Sequence, residues 1–396
     1  MSGMINEDVY GEVAARFSGH FGLPHTVAAY APGRAEVLGN HTDYNEGYVL
    51  SAAINLGTFF VAAPSTDGAC RLVAGDLMEE ESFELTSIAP SSVGSWSNYV
   101  RGVVAGLRAR EEMPGGFLGM FLGNVPLGSG LSSSAALEVS AGLALSALYD
   151  IDLGRQCMAR ICQTAEHEYA GVKCGLLDQI TSLFGLEDRL VMTDFRTLEV
   201  STVPLGGDCC LVICDTAVKH SLVESEYNDR RRKCREAADF FASVLDHPVV
   251  ALRDVGWDEV EGHRKDMEPV AAKRAAHVVS ENERVVRGKE LLKSGEIEAF
   301  GKLMFESHES SRTSFENSCP ELDFLVDRAA GVPGVMGAKL CGGGFGGSVV
   351  ALAHRRDADV IRQALASAYE KEFGHACVTR AILPAAGAHL VDDSTP

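Results

Sequence analysis

The stretch GNVPLGSGLSSSAALEVS, residues 123–140, joins a glycine-rich turn to a run of small apolar residues. Three consecutive serines stand at the junction, and Ala136, Val139 and Leu143 repeat beyond it at helical spacing. Glycine lets backbone approach a ligand closely, and unpaired N–H groups at a helix start attract anions. The stretch predicts a strand, a phosphate-binding turn and a helix, although a capped helix behind a flexible turn fits the same residues equally well.

Apolar strand-like runs and small-residue helical runs alternate on both sides of this turn. YVLSAAINLGTFFVAAPS (48–65) is strand-like, whereas GRQCMARICQTAEHEYAG (154–171) has helical periodicity with Gly171 as its predicted stop. After VPLGGDCCLVICDTA (203–217) a long charged helix follows. The pattern indicates an α/β or α+β fold, and we place a domain boundary here, giving domains 1–205 and 206–396.

The composition is that of a compact globular protein. The 396 residues are 46% hydrophobic and 23% charged, and the formal net charge of −20 disfavours nucleic acid and anionic membranes as partners. The acidic start MSGMINEDVYGEVAARFSGHF does not resemble a secretory signal, so we expect a cytoplasmic protein. Eleven cysteines without paired CxxC spacing favour reduced core thiols over a metal site.

Two further segments are rich in glycine. AKLCGGGFGGSVVAL (338–352) could be a bulged hairpin or a place where backbone approaches a ligand. APGRAEVLGNHTDYNEGYVLSAA (31–53) packs carboxylate, imidazole and amide groups between glycines. Such groups can hold a polyhydroxylated ligand, although a polar hairpin loop is the alternative.

The three glycine-rich segments, in this order, resemble the GHMP small-molecule kinases. GRAEVLGNHTDYNEGYVL (33–50) is similar to the sugar signature of the galactokinases, and VPLGSGLSSSAALE (125–138) to the family's ATP motif. AEHEYAGVKCGLLDQITSLFG (165–185) resembles its catalytic segment, HSLVESEYNDRRRKC (220–234) a further galactokinase segment and CGGGFGGS (341–348) the third GHMP motif. The resemblance implies a two-domain α+β fold: an N-terminal ribosomal-protein-S5-like domain with a left-handed βαβ unit, a C-terminal ferredoxin-like domain, and the active site between them.

The resemblance also implies an activity, the transfer of the γ-phosphoryl group of ATP to the anomeric hydroxyl of α-D-galactose. Asp178 takes the position of the catalytic aspartate and Arg34 that of the arginine beside it. An adjacent arginine favours the charged carboxylate, which can accept a hydrogen bond from O1. Whether Asp178 acts as a true base or mainly orients O1 stays open at this point.

ATP and Mg²⁺ are the cofactors that the resemblance implies. The resemblance implies that Ser134, with Ser133 as second choice, and Glu166 bind Mg²⁺, because this ion prefers hard oxygen ligands. It also implies that the nucleotide binds to the residues of the turn, which are Gly128, Ser129, Gly130, Leu131, Ser132, Ser133 and Ser134.

The sugar-binding residues implied by the resemblance begin with Arg34 and Asp178 and include Asn40, His41, Asp43, Gly175 and Tyr227. The chain departs from the family pattern at Glu36, where asparagine is usual, and at Asn40, where glutamate is usual. Galactose can still bind under this exchange, since an amide at residue 40 can accept from a hydroxyl and Glu36 can restore the lost carboxylate. The exchange also leaves room for a sugar 1-kinase acting on galacturonate, which would meet less repulsion from Asn40 than from glutamate, or on N-acetylgalactosamine. A non-catalytic sensor of galactose and ATP is a further alternative, and we expect a monomer or a weak homo-oligomer.

Overall fold

A computed structural model describes residues 2–110, 113–219 and 223–392. The first three residues of HSLVESEYNDRRRKC, 220–222, lie outside these ranges. Among the described helices, none is long and apolar enough to cross a membrane.

The first sheet is mixed and holds most of the strands of the first half of the chain. Its order is β12-β1-β2-β5-β3-β4, with β6 beside β2 and β7 beside β6. The pairs are antiparallel apart from β3 with β5. The strands are β1 (Val27–Leu38), β2 (Tyr48–Pro64), β3 (Ala69–Ala74), β4 (Glu79–Glu84), β5 (Phe117–Gly123), β6 (Arg189–Asp194), β7 (Val200–Pro204) and β12 (His389–Leu390).

Both faces of this sheet are covered, which explains the almost continuous apolar run of β2. Phe59 and Val61 pack with Phe17 of the N-terminal helix on one face, whereas Phe60 and Ala62 join a helical core on the other. Successive side chains of a strand point to opposite faces. The helices on the two faces are α1 (Ser2–Phe21), α2 (Ser97–Arg108), α3 (Ser133–Leu148), α4 (Arg155–Ala165) and α5 (Leu177–Phe184).

The second sheet is antiparallel, with the order β11-β8-β10-β9. Its strands are β8 (Cys209–Lys219), β9 (Val335–Cys341), β10 (Gly346–His354) and β11 (Val378–Ile382), and two helices, α10 (Pro320–Ala330) and α11 (Ala358–Phe373), pack on one face. Chain order β8-α10-β9-β10-α11-β11 with this strand order is the ferredoxin-like arrangement. The predicted α+β class is therefore confirmed.

Among the described residues, four α-helices are inserted between β8 and α10. They are α6 (Val223–Val244), α7 (Trp257–His263), α8 (Pro269–Lys293) and α9 (Ile297–Ser310). One apolar cluster contains Leu50 of the first sheet, Val350 of the second and Val285 of α8, so the three layers share a core. The division after residue 205 stays a prediction, and the last strand, β12, returns to pair with β1 of the first sheet.

The cysteines of the described residues are free. Cys209, Cys210 and Cys214 are buried in β8, where they pack as apolar side chains. Within the part of the chain that the structure describes, no group of three or more histidine, cysteine or acidic side chains is arranged to hold a metal ion.

Candidate active site

Arg34 and Asp178 form an ion pair at the junction of the first sheet and α5. Arg34 Nε lies 2.8 Å from Asp178 Oδ1 and Arg34 Nη2 lies 2.6 Å from the same oxygen. Burial by itself would lower the pKa of Arg34, but the adjacent Asp178 charge holds that pKa above its ordinary value. Asp178 also lies in the first turn of α5, where a helix favours negative charge. The pair supplies a charged acceptor with an arginine beside it.

The serine-rich turn contacts this pair directly. Ser132 donates from Oγ to Asp178 Oδ2 and has left-handed backbone, with φ of 60°, immediately before α3. Gly128 and Gly130, with φ of 74° and 75°, precede it, so their backbone adopts a conformation that most residues avoid. The predicted strand, glycine turn and helix are confirmed. Ser132, the last residue of the turn, contacts the Asp178 carboxylate.

The three glycine-rich segments meet at this turn. The Arg34 N–H donates to the Leu131 carbonyl at 3.0 Å, which joins the first segment to the second. Ser348 Oγ donates to the Ser129 carbonyl at 2.6 Å, which joins the third segment to the second. The first and third segments, more than 200 residues apart in the chain, thus both contact the serine-rich turn.

Ser134 and Glu166 also lie together, as the family resemblance implies for a Mg²⁺ site. Ser134 Oγ donates to Glu166 Oε1 at 2.8 Å, and Glu166 opens a π-helical turn that continues α4 and ends at Gly171. Burial, and next the charge of Asp178, raise the pKa of Glu166. A buried carboxylate beside a second carboxylate and a hydroxyl is a donor set of hard oxygens, so these residues fit a divalent cation. Ser133 has no such contact among the described interactions.

A cavity of about 650 Å³ opens beside the ion pair. It lies between the end of β1, the loop before α5, the start of α6 and the turn after β9. The predicted sugar-site residues on its wall are Arg34, His41, Asp43, Gly175, Asp178 and Tyr227.

Asp43 and Gly175 fit closely against each other in this wall. A Cβ at residue 175 would stand 2.0 Å from Asp43 Oδ2, so glycine is required there for the carboxylate to keep its place. Burial raises the pKa of Asp43 to about 6. An ionised Asp43 offers acceptor positions to sugar hydroxyls.

His41 and Tyr227 form the aromatic part of the wall, with ring centroids 5.4 Å apart. His41 Nε2 donates to the Gly343 carbonyl at 3.0 Å, and its Nδ1 lies 2.9 Å from the Tyr44 hydroxyl. Burial lowers the pKa of His41 to about 3, so the ring is neutral. Both ring nitrogens are occupied by the protein, and His41 therefore contributes shape and rigidity more than hydrogen bonds.

The structure does not bring Asn40 to the cavity. Asn40 is fully buried, and its side-chain amide donates to the Gly342 carbonyl at 2.7 Å and to Glu36 Oε1 at 3.1 Å. Glu36 lines the cavity instead. The expectation that Asn40 would soften the site for a carboxylate-bearing sugar is therefore corrected: the group that faces the cavity here is the Glu36 carboxyl.

Several other residues of the wall were missed from sequence. Lys173 and Cys174 precede Gly175, Asn228 follows Tyr227, and Gly342 and Gly343 belong to the third glycine-rich segment. Proximity to predicted residues was the available signal for Lys173, Cys174 and Asn228, whereas Gly342 and Gly343 lie in a segment whose glycines already suggested a close approach to a ligand. Gln179 was also missed; its Nε2 donates to Glu138 Oε2 at 3.2 Å and Glu166 Oε2 at 3.3 Å behind the serine turn.

Comparison with known proteins agrees with this geometry. Residues 15–64 match the model of the galactokinase galactose-binding signature, 98–186 the GHMP kinase N-terminal domain and 289–371 the GHMP kinase C-terminal domain. A galactokinase of Haemophilus influenzae is 43% identical over 360 residues, covering 90% of this chain and 92% of its own length. The chain belongs to the galactokinase family.

Other galactokinases support the assignment over nearly the whole length. That of Roseiflexus is 40% identical over 365 residues, covering 92% of this chain and 93% of its own. The Lactococcus lactis galactokinase, solved in complex with galactose, has a TM-score of 0.91 and 32% identity, covering 96% of this chain and 99% of that one. A mevalonate kinase of Methanococcus jannaschii, with a TM-score of 0.62 and 18% identity, shares the GHMP fold. As a galactokinase family member, the chain is an ATP-dependent sugar kinase.

Proposed function

We propose that the chain phosphorylates O1 of α-D-galactose in the 650 Å³ cavity, with ATP as phosphoryl donor at the serine-rich turn. The observation that carries the proposal is the position of the Arg34–Asp178 pair. It lines the cavity and also contacts Ser132 and Gly130 of the turn. A sugar hydroxyl in the cavity and a phosphate at the turn would therefore meet at one carboxylate.

Asp178 is the group that orients the acceptor hydroxyl. Its Oδ1 is held by Arg34 and its Oδ2 by Ser132, which fixes the carboxylate in one orientation. O1 donates to this carboxylate as the new O–P bond forms and the bond from the γ-phosphorus to the leaving oxygen breaks, and the O1 proton passes to Asp178. Positioning of this kind supplies much of the catalysis in phosphoryl transfer.

Arg34 and the turn residues act on the charge of the reacting oxygens. The arginine cannot lose its proton at neutral pH, so its guanidinium offsets negative charge between O1 and the transferred group. Ser134 and Glu166 would hold Mg²⁺, which when bound neutralises charge on the phosphate oxygens.

Competing functions are less well supported. A sugar 1-kinase for galacturonate or N-acetylgalactosamine is not favoured, since the curated relatives are galactokinases. A non-catalytic sensor would not need Arg34 paired with Asp178 and Ser134 paired with Glu166. The cytoplasmic location and the monomer or weak homo-oligomer stay predictions.

The experiment is initial-rate phosphorylation of a sugar panel: galactose, glucose, galacturonate, N-acetylgalactosamine and 2-deoxygalactose. We expect galactose to lead and Asp178→Asn to be inactive with it. Turnover of another sugar in preference to galactose would keep the kinase and overturn the substrate. Absence of turnover with the whole panel, despite galactose binding, would favour the sensor.

A further inference from the structure

We propose that Lys339 is a positioning residue of the sugar site, and that it and Asn40 hold the Glu36 carboxylate as the acceptor for a sugar hydroxyl remote from O1. This rests on the proposed function. Lys339 belongs to β9 of the second sheet and Glu36 to β1 of the first, so the cluster spans the two sheets.

The ion pair is buried and specific. Lys339 Nζ lies 2.7 Å from Glu36 Oε1, and the side chains of Lys339 and Glu36 are 0% and 5% exposed. The ammonium also donates to the Leu340 carbonyl at 2.7 Å. A lysine and a glutamate are almost never buried to this extent unless they are paired, so each charge depends on the other.

Glu36 retains an acceptor position for a ligand. Oε1 accepts from Lys339 at 2.7 Å and from Asn40 Nδ2 at 3.1 Å, whereas Oε2 accepts from Asn40 Nδ2 at the longer distance of 3.3 Å. A carboxylate has about four lone-pair positions, so Oε2 can accept from a hydroxyl in the cavity that Glu36 lines.

The place of Glu36 on β1 sets which part of the sugar it can reach. Arg34 and Glu36 pair with Ala53 and Ser51 of β2 without a register shift between them, so their side chains share one face. Two residues of strand span roughly 6.6 Å. With O1 at Arg34 and Asp178, Glu36 therefore lies about one pyranose ring away.

Asn40 is suited to this arrangement because it can donate. Its amide gives hydrogen bonds to both Glu36 and the Gly342 carbonyl, while its Oδ1 accepts from Asn317 Nδ2 at 3.0 Å. A carboxylate at residue 40 would face the Glu36 carboxylate and the Gly342 carbonyl without a proton to give. The departures at positions 36 and 40 are thus one coupled exchange, with Lys339 as the counter-ion.

The test is a kinetic cycle of E36Q, K339M and the E36Q/K339M double variant, assayed with galactose, 4-deoxygalactose, 6-deoxygalactose and galacturonate. We expect E36Q to raise KM for galactose about 10-fold or more, the loss of a hydrogen bond to a charged group, with KM for ATP unchanged. The deoxy sugar that lacks the hydroxyl bound by Glu36 should show no such change. In E36Q the KM for galacturonate should fall relative to that for galactose, because the variant removes a carboxylate from the cavity.

The double variant isolates the role of Lys339. If Lys339 acts through Glu36, KM for galactose should be no higher in the double variant than in E36Q. K339M alone should also raise KM for galactose. The double variant removes both charges together, so it remains informative if K339M does not fold. The proposal would be overturned if KM for galactose in the double variant equalled that of wild type or exceeded that of E36Q. An equal rise in KM for ATP would overturn it as well. Failure of the wild type with galactose would instead overturn the proposed function.

Discussion

Arg34 and Asp178 are 144 residues apart in the chain, yet Arg34 Nη2 lies 2.6 Å from Asp178 Oδ1. The arginine comes from β1 and the aspartate from the first turn of α5. Ser182, also in α5, donates to the Pro32 carbonyl at 2.7 Å, which fixes the helix against that strand. The ion pair is therefore set by the packing of a rigid helix on a rigid strand, as a catalytic group requires.

Replacing Asp178 by asparagine should abolish most of the turnover. The amide cannot take the O1 proton and no longer pairs with Arg34, so we expect kcat to fall about 10²- to 10⁴-fold. Steady-state ADP release with galactose measures this, and a thermal melt shows whether the fold persists. The matched control is Asp246→Asn at an exposed position, which should keep wild-type kcat. If a folded D178N variant had a kcat within threefold of wild type, Asp178 would take no part in the chemistry.

Replacing Glu166 by glutamine should change the dependence on Mg²⁺. The variant keeps an oxygen but loses the charge beside Ser134, so we expect half-maximal activity to need about 10-fold or more additional Mg²⁺. Titration of MgCl₂ at fixed ATP measures this, and galactose binding without ATP should be unchanged. Glu187→Gln, at an exposed position, is the control. The same Mg²⁺ midpoint in E166Q and wild type would contradict the assignment, and chelation with EDTA should stop transfer in both.

Galactose binding should weaken at acid pH because of Asp43. Its pKa is raised to about 6 by burial, so the carboxylate is ionised at pH 7.5 and gains a proton as pH falls through 6. The charges of Glu36 and Asp178 also raise this pKa, whereas the Tyr44 backbone N–H and the charge of Arg231 lower it. Calorimetry without ATP should show Kd rising up to about 10-fold per pH unit below 6. In Asp43→Asn the profile should be flat and the binding weaker; a wild-type Kd constant from pH 5 to 7.5, with the fold intact, would contradict this.

The elements that follow local rules were predictable from sequence. Gly171 ends its helix with φ of 79°, as a glycine stop should, and the serine turn precedes α3 where the pattern placed it. Ser134 and Glu166 were paired through the family resemblance, since nothing local joins residues 32 apart.

The place of Asn40 could not be predicted in this way. Its burial follows from contacts with Gly342, Ser311 and Asn317 of the second half of the chain, which the first segment does not specify. Glu36 was recognised as a departure, but its exposure to the cavity depends on the pairing of β1 with β2 and on Lys339 from the second sheet. Long-range packing therefore determines that Glu36, and not Asn40, lines the cavity.

A buried carboxylate of α8 supports the loop that follows β1, at Gly39 and Asn40, and nothing in the sequence indicated this contact. Glu281 Oε1 accepts from the backbone N–H of Gly39 at 2.9 Å and of Asn40 at 3.1 Å, while Glu281 Oε2 lies 2.6 Å from Arg284 Nε. One turn earlier, His277 Nε2 donates to the Asn40 carbonyl at 3.0 Å. The helix thus holds both backbone groups of Asn40.

Replacing Glu281 by glutamine should destabilise the fold. Burial would raise the pKa of Glu281, but chiefly the Arg284 charge lowers it from 4.5 to about 2. Because the folded pKa lies below the unfolded value, the stabilisation is present above pH 4.5 and is lost as pH falls toward 2. The variant leaves Arg284 unpaired, so we expect a loss of about 3 kcal/mol at pH 7.

Urea unfolding at pH 7 measures this loss, and Glu283→Gln is the matched control on the exposed side of the same helix. Surface substitutions usually change the free energy of unfolding by about 0.5 kcal/mol or less, so E283Q should stay near wild type. The difference between E281Q and wild type should shrink when the unfolding is repeated at pH 3, because the unfolded wild-type chain then binds a proton at Glu281 and part of the stabilisation from its lowered folded pKa is lost. An E281Q variant as stable as E283Q at pH 7, or a difference independent of pH, would show that the Glu281 charge does not hold the loop.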